Sequence, residues 1–236
     1  MKSKIINKIL HIEILSKIRK SILIYIIIFF LTWVLSFFLF PKIYPFLVSP
    51  YYYILKGEAL IFTSLEEALM VVLRTTFYLS LILTLPFLII KLWHSISSEF
   101  YEKEKIFLKK FTALVILFAI IGLLLGYFIF VPFFLKLFLY FGKDFSPNIK
   151  IGNFLIFLMK TLLFSVIVLE MPLLLSILVK QGILTEKFYK KKRLYFFGFF
   201  YGIAFLLVPM DFFTQIILTF FFFWVFKLSF LIAKIL

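Results

Sequence analysis

The stretch SVIVLEMPLLLSILV, residues 165–179, is apolar enough to cross a bilayer apart from one carboxylate, Glu170. An ionised carboxylate at mid-bilayer costs roughly 3 kcal/mol or more. No residue of opposite charge lies at helical spacing on the same segment. Glu170 therefore holds its proton, pairs across helices or faces a watery cavity, and a purely structural glutamate is the alternative.

The composition is that of a membrane protein. The chain has 236 residues, is 64% hydrophobic and has a mean hydropathy of +1.15, whereas soluble domains are about half apolar. It has no cysteine, which excludes disulfides and thiolate metal sites, and its two histidines are too few for a histidine metal cage. We expect no metal and no cofactor.

Six apolar runs predict an all-α fold with six transmembrane helices, the last two of them short. They cover residues 21–40, 69–93, 111–135, 154–179, 194–208 and 212–226. Each of the last two reaches only roughly 22 Å, short of a hydrocarbon core of about 30 Å. A single long helix is the alternative for this pair, but Pro209 and Asp211 at its centre favour a turn.

The domain prediction is one membrane domain over residues 21–232. A basic segment, residues 1–20, precedes it and is expected to lie as an amphipathic helix at the interface, a plain basic flank being the alternative. Residues 41–68, with three prolines, are expected to form the longest outward loop, and residues 233–236 form a tail.

The net charge of +15 lies at the ends of the apolar runs. This placement sets membrane topology, so nucleic acid is not an expected partner. Lysine and arginine are most frequent before the first run and after the second and fourth, which predicts both termini on the cytoplasmic, matrix or stromal side. The AT-rich codons implied by the composition favour a mitochondrial inner membrane or another organelle membrane, with the bacterial inner membrane as the alternative.

No catalytic motif is present, so we expect no enzyme. The residues left for function are polar ones at membrane depth, and Arg74 and Lys160 lie near the outward ends of their runs, where they can snorkel. The full set is Arg74, Lys160, Glu170, Asp211, Gln215 and Lys227.

Four motifs in order resemble the TatC family, the multispan core of the twin-arginine protein translocase. They are FTSLEEALMVVLRTTFYLSLILTLPFLIIKLW, FYEKEK, VLEMP and VPMDFFTQ, and the resemblance covers residues 47–215. It implies a receptor for paired-arginine signal peptides that exports folded proteins using the proton motive force. It also implies small single-span partner subunits of the TatA and TatB type, and a homo-oligomer is a further expectation.

The resemblance also assigns roles by position. Glu104 matches the glutamate that helps recognise the paired arginines. Glu170 matches a fourth-span glutamate on the concave face, where it meets polar residues of the single-span partners, so we expect Glu170 to be exposed on a concave, partly lipid-facing surface. Asp211 and Gln215 match the motif that links the last two spans, and they are assigned with Glu170 to docking of a partner helix. The remaining matches are structural: Pro86, Trp93, Pro172 and Pro209.

The chain departs from the family pattern in three places. Glu13 and Arg19 stand in for the N-terminal signature at imperfect spacing, and we assign them to signal-peptide binding with Glu104. Ser98 replaces the proline usually found after the tryptophan, and Ile106 replaces a basic residue.

Carboxylates suit the recognition of paired arginines because they accept two hydrogen bonds from the rigid donor fork of arginine. Lysine does not offer such a fork.

Two other functions remain open on sequence alone. An ion or small-solute channel would use Glu170 as an intramembrane proton relay and would need a matched charge on another span. A membrane assembly factor would need outward haem-ligand histidines or an aromatic-rich outer loop.

Overall fold

The computed structural model is helical throughout almost all of the chain that it describes. It describes residues 2–55, 60–61, 64–97, 104–142, 148–180, 185–207 and 212–235. The eight α-helices are α1 Lys2–Ile54, α2 Leu65–Ser97, α3 Glu104–Leu125, α4 Val131–Phe141, α5 Ile151–Lys180, α6 Glu186–Lys191, α7 Arg193–Leu207 and α8 Phe212–Ile235. Four of these regions are long and apolar enough to cross a membrane: Ser16–Ile54, Glu66–Trp93, Lys109–Phe141 and Ile151–Ser176.

Helix α1 corrects the prediction of a long outward loop over residues 41–68. The helix continues through Pro41, Pro45 and Pro50 to Ile54. It stays helical because its last turns face the interior, with Leu47, Val48 and others in the largest core cluster. The basic segment at residues 2–20 is likewise helical and continuous with the first span.

The third span is a continuous rod built from α3, a π-helical turn at Gly126–Phe130 and α4. The backbone N–H of Val131 closes the π turn by donating to the carbonyl of Gly126. Pro132 follows directly, and it has no N–H to continue a regular α-helical ladder. The wider turn is therefore where the rod adapts to its proline.

The rod approaches α5 through small residues. Gly122 and Gly126 face α5, and the hydroxyl of Ser165 donates to the carbonyl of Gly122 at 2.6 Å. A β-carbon added at Gly122 would lie 2.9 Å from the Cα of Val166. Close backbone approach through glycine and serine is the usual basis of helix packing in membranes.

Helix α5 is the centre of the fold. It contributes buried side chains to all three core clusters, for example Leu158 to the first, Val168 to the second and Leu173 to the third. A parallel bridge between Ile61 and Lys150 joins the approach to α2 to the approach to α5. The first turn of α5 packs against the first two turns of α2, where a β-carbon added at Gly152 would lie 2.8 Å from Val71.

The last two helices form a pair that packs together and against α5. This pairing rules out a single long helix over residues 194–226. Helix α7 is short, as predicted, but α8 continues past the predicted end at Phe226 to Ile235. The predicted span ended at Phe226 because a lysine, Lys227, follows it. In the structure Lys227 stays exposed, with Nζ 5.7 Å from the Phe223 ring centre. The helix continues past it because Phe226 and Ser229 on either side are buried.

Candidate functional site

Glu170 lies inside the protein, in the middle of α5. Its side chain is 1% exposed, and neither carboxylate oxygen has a hydrogen-bond partner among the residues that the structure describes. The expectation of a lipid-exposed glutamate on a concave surface is therefore wrong for this structure. The reason is packing, since α2, α3 and α8 all lie against α5.

The turns around Glu170 are also polar and buried. Ser165 and Ser176 lie on the same helix, are fully buried and donate to backbone carbonyls within hydrogen-bond distance. Pro172 is buried two residues after Glu170 and lies inside the helix, so it leaves the carbonyl of Val168 without its helical donor. The carboxylate of Glu170 therefore lies within two residues of a break in the hydrogen-bond ladder of α5.

Gln215 is held inside the pair of last helices. It is 3% exposed, and its Oε1 accepts a hydrogen bond from the hydroxyl of Tyr201 at 3.0 Å. Its role in docking a partner helix stays a prediction, because the structure shows it joining α7 to α8. Asp211 and Pro209 lie outside the described residues.

The residues assigned to signal-peptide binding lie at one end of the bundle. Glu104 is the first residue of α3, close in sequence to the end of α2 at Ser97. Arg19 is exposed on α1, and Glu13 lies on the same helix. The side chains of Glu104 and Glu13 lie outside the described part of the chain, so the structure does not test whether the three act together.

Trp93 and Pro86 are placed on α2. The Trp93 ring packs 5.5 Å from the ring of Phe111 on α3, next to the third core cluster. Pro86 lies within the helix and is half-buried. The structural role assigned to both residues stays a prediction.

Tyr189 joins the short helix α6 to the end of α8. Its ring lies 4.9–5.7 Å from the rings of three phenylalanines on α8, at positions 223, 226 and 230. Burial raises the pKa of its phenol, an effect that Arg193 partly offsets. Sequence reasoning missed this contact because the tyrosine lies in a lysine-rich segment that otherwise indicates only topology.

The glycine contact between the rod and α5 was also missed from the sequence. The signal was present as Gly122-Leu-Leu-Leu-Gly126, a GxxxG spacing inside an apolar run. The spacing predicts a close helix contact but does not name the partner. The structure identifies the partner as Ser165 and Val166.

Comparison with known proteins decides the family. The family model for the Sec-independent protein translocase protein TatC matches residues 13–220. This chain belongs to the TatC family. The fold prediction of six transmembrane helices and the resemblance drawn from the sequence are thereby confirmed.

Curated relatives and solved structures agree with the family. The chain is 35% identical to a TatC of Desulforapulum autotrophicum over 69% of this chain and 61% of that relative. It is 27% identical to TatCy of Bacillus subtilis over 97% of this chain and 90% of that relative. A crystal structure of the twin-arginine translocase receptor TatC in DDM superposes with a TM-score of 0.80 at 25% identity, covering 94% of this chain and 100% of that one.

Proposed function

We propose that this TatC-family protein is the membrane core and signal-peptide receptor of a twin-arginine translocation system. It exports folded proteins that carry paired-arginine signal peptides, driven by the proton motive force, and acts in transport rather than as an enzyme. The observation that carries the proposal is the family match over residues 13–220, which spans nearly the whole helical core.

Recognition of the signal peptide is proposed for Glu104. It begins α3 just after the connection from α2, so it lies where a peptide at the membrane surface would meet the protein. A carboxylate at this position accepts the two parallel N–H groups of an arginine, which a lysine cannot supply. Glu13 and Arg19 are proposed to line the same surface from α1.

The test is binding of a twin-arginine signal peptide to the purified protein. Glu104→Ala should weaken binding roughly ten- to hundredfold, the range that a lost charge-assisted hydrogen bond predicts. The matched control is Glu186→Ala, since Glu186 is an exposed carboxylate that pairs with Lys190 at 3.4 Å in α6. Unchanged binding by the Glu104 variant, or an equal loss in the control, would refute the assignment.

The proposed partners are single-span subunits of the TatA and TatB type, together with further copies of this chain. Glu170 is the proposed docking point for a polar side chain of a partner helix. Because Glu170 is 1% exposed, a partner reaches it only when the helices packed on α5 move apart. A hydrogen bond in lipid contributes roughly 0.6–2 kcal/mol, which is weak enough to be released in a transport cycle.

The protein is an integral multi-pass membrane protein, and we propose that both termini lie on the cytoplasmic, matrix or stromal side. The absence of native cysteine allows a direct test. Cysteine at Tyr53, which is 82% exposed, should react with an impermeant reagent from outside, and cysteine at the exposed Lys191 only after permeabilisation. The reverse pattern would overturn the orientation. An organelle location stays a prediction from composition.

A further inference from the structure

A cavity of about 550 Å³ opens between α1, α2 and α5 and contains two cations. Arg74 and Lys160 line it, with Trp33, Phe77, Tyr78 and Ile156 among the other walls. Within the part of the chain that the structure describes, neither cation forms a hydrogen bond or ion pair. The cavity lies in the half of the bundle where α2 and α5 begin, away from the residues assigned to signal-peptide binding.

The two cations face one space between α2 and α5. Contacts near the starts of the two helices hold them together, since Ile61 and Lys150 form a bridge with backbone hydrogen bonds of 3.3 and 2.9 Å. A β-carbon added at Gly152 of α5 would lie 2.8 Å from the side chain of Val71 of α2. Both positive charges line the cavity that lies beside this contact.

The wall beside the cations is fixed in place. The indole N–H of Trp33 donates to Thr76 Oγ1 at 3.2 Å, and the Trp33 ring packs edge-on against Phe77 at 5.6 Å. These contacts hold α1 against α2 without occupying Arg74. The α1 wall of the cavity is therefore held against α2 by a hydrogen bond and by ring packing.

A cation at this depth is costly unless an anion accompanies it. The anion available at the level that snorkelling side chains reach is the phosphate of a lipid headgroup. Arginine binds phosphate bidentately and lysine adds a point charge. A net charge of two in the cavity also repels the cationic group of a zwitterionic headgroup, so an acidic phospholipid is favoured.

The size of the cavity suits a small ligand. Its volume of about 550 Å³ lies within the range of about 300–1,000 Å³ that is typical of small-ligand sites. We propose that this cavity binds the headgroup of an acidic phospholipid of the outer leaflet, with Arg74 and Lys160 on its phosphate.

The experiment measures lipid retained by the full-length protein after extraction from vesicles of equal parts phosphatidylcholine and phosphatidylglycerol. Native mass spectrometry should show phosphatidylglycerol retained in preference to phosphatidylcholine. Each of Arg74→Gln and Lys160→Gln should lower that preference about fivefold, and the double variant about twentyfold. Arg74→Lys should keep most of it, since the charge remains.

The matched control is Lys136→Gln, which removes an exposed lysine from α4, outside the cavity. It should leave the lipid preference unchanged. Equal retention of both lipids by the unsubstituted protein, or the same preference in the double variant, would overturn the proposal. So would a photoreactive residue at Phe77 that captures a protein helix instead of lipid. If Arg74→Gln does not fold, Lys160→Gln decides the question alone.

Discussion

The hydroxyl of Tyr127 in the π-helical turn donates a hydrogen bond to the backbone carbonyl of Phe46 in α1. That carbonyl would ordinarily accept from the residue four positions later, which is Pro50 and has no N–H. The Tyr127 ring also stacks on the Phe46 ring at 4.4 Å. A neighbouring helix thus supplies the donor that the proline removed, which is how membrane helices tolerate proline.

The first prediction concerns this hydrogen bond. Tyr127→Phe should lower the free energy of unfolding by about 1–2 kcal/mol, because it leaves the part-buried carbonyl of Phe46 without this donor. In a Pro50→Ala background the same substitution should cost less, since the introduced alanine supplies the helical N–H. The measurement is thermal unfolding in detergent for the four proteins of the cycle. Tyr53→Phe, at an exposed tyrosine, is the control, and equal costs in both backgrounds would contradict the account.

The second prediction concerns the glycine contact between the rod and α5. Gly122→Ala should destabilise the protein by roughly 1–3 kcal/mol, because its β-carbon would meet the backbone of Val166 at 2.9 Å. Gly198→Ala and Gly202→Ala in α7 are matched controls, since nothing lies within 4 Å of a β-carbon there.

The controls should be neutral or more stable by about 0.5–1 kcal/mol, because alanine favours helix over glycine. Unfolding midpoints measured in one detergent compare all three variants. A Gly122 variant as stable as the Gly198 variant would show that the two helices are not in close contact.

The third prediction separates the effect of Glu170 on the stability of the protein from its effect on transport. Glu170→Met should raise the free energy of unfolding by roughly 1–3 kcal/mol, because it removes a buried carboxylate without a partner in the described chain. The same variant should transport poorly if a partner helix needs a polar group there. Glu170→Gln should keep part of the transport activity, and Glu170→Ala should keep less.

The measurements are unfolding of the isolated chain and export of a twin-arginine substrate. Glu66→Gln, at an exposed carboxylate on α2, controls for loss of charge alone. Near-normal export by the Ala variant would exclude docking at Glu170. Complete loss in the Gln variant with partner contacts intact would favour a proton relay.

The fourth prediction concerns Tyr189, whose hydroxyl is buried without a hydrogen-bond partner in the described chain. Tyr189→Phe should be neutral or stabilising, because the ring contacts remain and an unsatisfied donor is removed. Tyr189→Ala should cost about 3–5 kcal/mol, the usual cost of removing a large buried aromatic side chain. Thermal unfolding distinguishes the two, and a clear loss in the Phe variant would mean that the hydroxyl has a partner.

The sequence predicted the spans better than it predicted their ends. Apolar runs show where a helix crosses lipid. A helix continues beyond such a run wherever packing stabilises it, as α1 does through Pro50 and α8 does past Lys227. Both extensions contain buried side chains, Tyr51 in α1 and Ser229 in α8 among them, and a hydropathy pattern cannot assign these to a partner helix. The proline-rich run of residues 41–50 predicts a loop because prolines remove helical N–H donors. The donor that replaces the N–H missing at Pro50 is the hydroxyl of Tyr127, which is distant in sequence.

The site was predicted unevenly. Glu170 stood out because its cost in lipid is a local property of residues 165–179. The burial of Glu170 could not be predicted from the sequence, because burial depends on which helices cover α5. The sequence indicates a snorkelling cation at each of Arg74 and Lys160, and only the packing of α2 beside α5 shows that the two share a cavity.

The central place of α5 also has a consequence for how the protein is made. A ribosome delivers α1 to α4 before α5, yet much of the largest core cluster is supplied by α5 residues such as Phe154, Leu155 and Leu158. Until α5 is inserted, the side chains of α1 to α4 that later form the core therefore face lipid or an insertion chaperone. A nascent chain stopped before Ile151 should be a substrate for membrane quality control, whereas one that includes α5 has its main core closed before the last hairpin arrives.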